Sequence, residues 1–83
     1  MLTMVRWETF EGKRGATPVY RQLADFIAGQ IEGGHLEVGA QIPAERRLAE
    51  LVGVSVDTVR AAVAALREAG LVETGHGTGT FVK

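Results

Sequence analysis

The spacing of apolar residues changes once along this chain, at Gly70, and that change restricts the fold more than any other feature. Before Gly70 apolar side chains recur every three or four positions, the period of a helix with one buried face. After it they alternate, the period of a strand. The upstream stretch divides into three helical segments. Thr17 as a cap followed by Pro18 at the first helical position starts the first, since proline lacks an N–H that would be unpaired there. Val19, Leu23, Phe26, Ile27 and Ile31 form its apolar face, with Tyr20 beside them, and Gly33-Gly34 stops it.

From His35 to Ile42, with Gly39 inside, the pattern allows a connection or one brief strand. Pro43 opens the second helix, whose buried face is Leu48, Leu51 and Val52, and Gly53 ends it. Ser55 caps the third, which carries Val59, Val63 and Leu66 on its stripe and Ala61, Ala62, Ala64 and Ala65 between them. Leu71–Thr74 and Thr80–Val82 then read as two strands around the glycine-rich turn 75–79, which makes a β-hairpin. The order is that of a mainly α winged helix-turn-helix, three helices plus a wing. Residues 17–83 form this unit. Residues 1–16 have no clean period, and Gly12-Lys13-Arg14-Gly15 suggests a flexible arm, although Trp7 and Phe10 are large apolar groups to leave in water.

Composition narrows the chemistry. Eighty-three residues supply one core, not two. The absence of cysteine removes a disulfide framework and a thiolate-held zinc. With only two histidines, far apart, and no carboxylate–histidine set at ligand or triad spacing, neither an enzyme nor a metal or cofactor site is expected. Arg6 and Glu8 interrupt any leader-like apolar stretch, and no apolar run approaches the roughly 18 residues that span a bilayer. A cytoplasmic protein with no membrane partner is the expectation.

Helix, glycine-containing turn and helix between Ala44 and Ala69 is the helix-turn-helix pattern, with Ala49 small enough to let the helices cross closely. Beside it stand Thr17-Pro18-Val19-Tyr20-Arg21-Gln22-Leu23, Gln41-Ile42-Pro43-Ala44-Glu45-Arg46-Arg47-Leu48-Ala49, Val52-Gly53-Val54-Ser55, Thr58-Val59-Arg60 and Gly77-Thr78-Gly79-Thr80-Phe81-Val82. In this order and spacing the segments resemble the GntR family of bacterial transcription regulators, from Pro18 to Val82. The opening Pro18-Val19-Tyr20 is more similar to the HutC-, MocR- or YtrA-type branches than to the FadR type. The resemblance implies a domain that binds a double-stranded DNA operator and is normally followed by a ligand-binding or dimerising domain. The sequence stops at Lys83 and offers no obvious effector pocket.

The resemblance also implies contact residues. Arg46 matches a position that approaches DNA, commonly a guanine, whose paired acceptors suit a guanidinium fork. A surface pair with Glu50 four residues on is the competing reading. Thr58 and Arg60 match phosphate- and base-contacting positions in the first turns of the recognition helix, 55–69, the part that enters the major groove. Arg60 could also pair with Asp57. Ser55 is first a cap and second a phosphate contact. Val56 stands where relatives usually carry a base-reading arginine. It can touch a thymine methyl but donates nothing, and Asp57 repels phosphate unless it accepts from a cytosine amino group. His76, Gly77 and Thr78 match the tip of the wing, 71–82, which lies in the minor groove or along the backbone. Tyr20 matches a phosphate-contacting position and equally suits a half-buried core tyrosine.

The formal net charge of −1 argues against a nucleic-acid binder until the charges are placed. Arg46, Arg47, Arg60, Arg67 and His76 gather in the helix-turn-helix and wing. Glu8, Glu11, Asp25, Glu32 and Glu37 lie elsewhere, so a neutral total can carry a positive face. Two functions stay open. One is a sequence-specific DNA-binding regulator of repressor type. The other is a winged-helix protein-interaction module that pairs with or antagonises another regulator, which Val56, Asp57 and the net charge favour. The expected assembly is a monomer or weak homodimer that pairs on DNA. Trp7 and Phe10 either meet a partner chain or cover their own first helix.

Overall fold

In the computed structural model, which describes residues 5–75, 77 and 79–83, the three periodic segments are helices: α1 Val19–Glu32, α2 Glu45–Val52 and α3 Val56–Glu68. A single 3₁₀ turn, Trp7–Thr9, precedes them. Strands β1 (Gln41–Ile42), β2 (Val72–Gly75) and β3 (Gly79–Val82) form an antiparallel sheet in the order β1-β3-β2. This is the expected winged helix, with the short segment before α2 resolved as a strand. It pairs Gln41 with Phe81 and Ile42 with Thr80.

Two helix starts differ from the sequence reading. Pro18, with ψ 148°, is itself the residue before α1, and Thr17 makes no side-chain cap. The Thr17 carbonyl instead accepts from Gln22 Nε2 at 2.8 Å. α2 begins at Glu45 rather than at Pro43, because Ile42 is still extended in the sheet and Ala44, ψ 152°, completes the exit from it. Ser55 caps α3 as expected, its Oγ accepting from the Thr58 N–H at 3.1 Å. Between α2 and α3, Gly53 adopts φ +75° and ends α2, its N–H donating to the Ala49 carbonyl. A Cβ at that φ would be strained, so the tight turn of the helix-turn-helix needs glycine there.

Leu23, Ile27, Ile42, Leu48, Val59, Val72 and Val82 are completely buried, joining every helix and strand to one core. Ala49 and Ala62 are buried too, and their small side chains let α2 and α3 approach. Leu51, expected inside, is only half-buried. α1 packs chiefly on α3, while α2 is held by α3 and by the 3₁₀ turn.

The stretch read as an arm is thus partly core. Phe10 is 8% exposed and meets Phe26 edge-on, ring centres 5.5 Å apart, while Trp7 lies 6.3 Å from the same ring. The two aromatics cover their own first helix. Lys13 is tied down as well: its N–H donates to Gln22 Oε1 at 3.0 Å and its carbonyl accepts from Gln22 Nε2 at 2.6 Å. Covering α1 is one of the two alternatives that the sequence left open for Trp7 and Phe10, between which a stretch without a period could not decide.

Candidate nucleic-acid interface

The candidate site is built at the start of α3. The Ser55 cap satisfies the Thr58 N–H in the first turn of α3, and Ser55 Oγ also donates to Thr58 Oγ1 at 2.9 Å. The Thr58 hydroxyl proton is thereby left to donate outward. Val56, the first helical residue, is half-buried and packs against the core, so its side chain is partly withdrawn from solvent. Asp57 lies almost wholly in water, its side chain 93% exposed.

Arg60, one turn on, is exposed yet held. Its Nε donates to Glu45 Oε1 at 3.0 Å, across from the first residue of α2, and its Nη1 lies 3.7 Å from Asp57 Oδ1. The hydrogen bond and charge of Glu45, with a smaller contribution from Asp57, raise the guanidinium above its already high pKa, so it stays protonated. The pairing with Asp57 anticipated from sequence is present but is the longer of the two. Glu45, the nearer partner, is missing from the sequence-derived residues. No local pattern could have found it, because its partner is 15 positions away.

Arg46 is exposed on α2 and makes no ion pair among the described residues. Its alternative partner Glu50 is taken by Arg47, Nη1 to Oε1 3.4 Å. Glu45 also lines a cleft with Gln41, Pro43, Thr74, Gly77 and Thr80, between the start of α2 and the wing. The start of α2, the first turns of α3 and the wing therefore meet at one end of the molecule. At the wing Gly77 is exposed with φ +67°, and Gly79 has φ +118° where a Cβ would strike the Gln41 amide. His76 and Thr78 lie outside the described residues. Tyr20 is half-buried on α1, with the Arg21 guanidinium 5.6 Å from its ring centre. Among the described residues no helix is long and apolar enough to cross a membrane.

Comparison with known proteins bears on the family and the fold. The chain is 45% identical over 69 residues to the mannosyl-D-glycerate transport/metabolism system repressor MngR of Escherichia coli, covering 83% of this chain and 29% of that one. It spans less than a third of the length of the curated relatives it matches. Among solved structures, YtrA from Sulfolobus acidocaldarius, a GntR-family transcription factor, is 35% identical with TM-score 0.77, over 83% of this chain and 72% of that one. This fits the branch indicated by Pro18-Val19-Tyr20. The DNA-binding domain of AraR in complex with operator ORE1 is 35% identical with TM-score 0.79, over 90% of this chain and 95% of that one. The profile described as "Bacterial regulatory proteins, gntR family" matches residues 19–82, and with these likenesses it establishes that the chain belongs to the gntR family.

Proposed function

We propose that this chain is the DNA-reading head of a sequence-specific transcriptional regulator of repressor type, acting in the cytoplasm on a double-stranded operator. In this reading the first turns of α3 enter the major groove, Arg46 and Arg60 address guanine edges, and Ser55, Thr58 and Tyr20 address phosphate. The wing, with Gly77 and the neighbouring His76 and Thr78, lies in the minor groove or along the backbone. The observation that carries the reading is the convergence at Glu45. That residue pairs with Arg60 on α3, adjoins Arg46 on α2 and lines the cleft beside the wing, so the positions on α2, α3 and the wing share one end of the molecule, whereas Tyr20 lies beside Ala61, Ala64 and Ala65 on α3. The operator-bound AraR domain, alike over nine-tenths of this chain, supports the docking mode.

Selection of sequences from a random duplex pool, followed by a salt titration on the winner, tests the proposal. A phosphate-contacting head gives a steep linear fall of log affinity with log salt. A flat dependence with no selected site overturns it in favour of the protein-interaction module, the reading to which exposed Asp57 and the carboxylate-paired Arg60 lend some support.

Two further outcomes follow. Val56→Arg is expected to change the selected sequence, by supplying the base-reading donor that valine lacks, and to raise non-specific affinity. An unchanged site and unchanged affinity would mean that residue 56 does not face DNA. The free chain is expected to sediment as a monomer or weak dimer and to pair only on DNA, since one such module buries about 600–1,000 Å² there. Because Trp7 and Phe10 are committed to Phe26, two heads would touch side by side on adjacent half-sites. A tight dimer in the absence of DNA contradicts this.

A further inference from the structure

Glu45 is not among the contact positions that the family resemblance implies, yet it is the residue most closely tied to Arg60. A carboxylate in the first turn of a helix ordinarily serves that helix's own N–H groups and dipole. Glu45 makes no cap for α2 and reaches instead to Arg60 Nε, at 3.0 Å. Asp57 adds a second negative charge 3.7 Å from Nη1, beyond good hydrogen-bond distance. The guanidinium is therefore held by its Nε edge, while its Nη end remains for an end-on fork against O6 and N7 of guanine. The cluster of two carboxylates and one guanidinium carries a net negative charge, which a charged phosphate disfavours more strongly than the uncharged guanine edge does.

From this geometry we infer that Glu45 is a specificity-determining positioning residue. It fixes Arg60 for end-on guanine reading, and its charge keeps that guanidinium from serving as a phosphate contact. The inference rests on the DNA-reading function proposed above. It adds a residue that acts through Arg60 rather than on DNA, and it assigns the carboxylate a role in rejecting non-specific duplex.

The test compares the parent chain with Glu45→Ala, Glu45→Gln, Arg60→Ala and the double variant Glu45→Ala/Arg60→Ala. Each is titrated on the selected duplex and on a scrambled duplex over a range of salt. Glu45→Ala should lower the specific-to-non-specific ratio about tenfold, within the range of one good base contact. It should also steepen the non-specific salt slope by about 0.9, one phosphate's worth. Glu45→Gln keeps the acceptor and loses the charge, so it should retain most of the specific affinity while showing the steeper slope. With Arg60 already alanine, removing Glu45 should change the ratio by less than about twofold. In the free protein, the Arg60 Nε–H resonance should be distinct in the parent and in Glu45→Gln and move to the solvent-arginine position in Glu45→Ala. A parent that selects no site overturns the DNA-reading proposal and this one with it. A parent that selects a site, with a ratio unmoved by Glu45→Ala or equally lowered in the Arg60→Ala background, overturns this inference alone.

Discussion

Phe10→Ala is expected to lower the melting temperature of this domain by roughly 15 °C or more. Truncating a buried phenylalanine costs about 3–5 kcal/mol, and each kcal/mol moves the midpoint of a domain this size by about 4–8 °C. Phe10 is almost wholly enclosed and stacks edge-on against Phe26, so its loss leaves a cavity rather than a vacated surface. A domain of this length is held by only about 4–12 kcal/mol in total, which makes the variant marginal at growth temperatures. Trp7→Ala, at a half-buried site on the same ring, should cost clearly less. Calorimetry or thermal circular dichroism checks both. A shift of only a few degrees for Phe10→Ala would mean that this segment is not part of the core.

Arg60→Ala and Arg46→Ala should each weaken binding to the selected operator by about 1–3 kcal/mol, the value of a bidentate base contact, without disturbing the fold. Both side chains are exposed, so neither change opens a cavity. The larger loss should fall on Arg60. Its removal leaves the Glu45 and Asp57 carboxylates uncompensated beside incoming phosphates, whereas Arg46 has no ion-pair partner among the described residues to strand. Affinities for the selected and a scrambled duplex, with circular dichroism as the control for folding, decide the matter. If both variants bind the selected duplex as tightly as the parent, the reading surface lies elsewhere.

What could be read from sequence follows the range of the forces involved. Helical periodicity, Gly33-Gly34, Gly53 and the Ser55 cap act within a few residues, and the helices appear where those signals place them. The errors at Thr17-Pro18 and Pro43 come from the same rule applied one step too locally. Proline suits both a first helical residue and the residue leaving an extended segment, and tertiary pairing chose the latter at Ile42. A strand of two residues has no period to detect, so β1 needed its partner β3 to be recognised. The docking of Phe10 and the reach of Glu45 to Arg60 are long-range contacts. They depend on how α1, α2 and α3 assemble, which no single stretch of sequence encodes.

The strand order β1-β3-β2 bears on how the molecule comes into being. β3 is the middle strand although it follows both of its partners in the chain, and β1 and β2 each pair with it rather than with each other. During synthesis a nascent chain that ends before Gly79 can hold all three helices but neither of the strand pairings. The fully buried Val82, partner of Val72, and Thr80, partner of Ile42, both come with β3. Both strand pairings therefore wait for β3 at the centre of the sheet, while all three helices precede it in the chain.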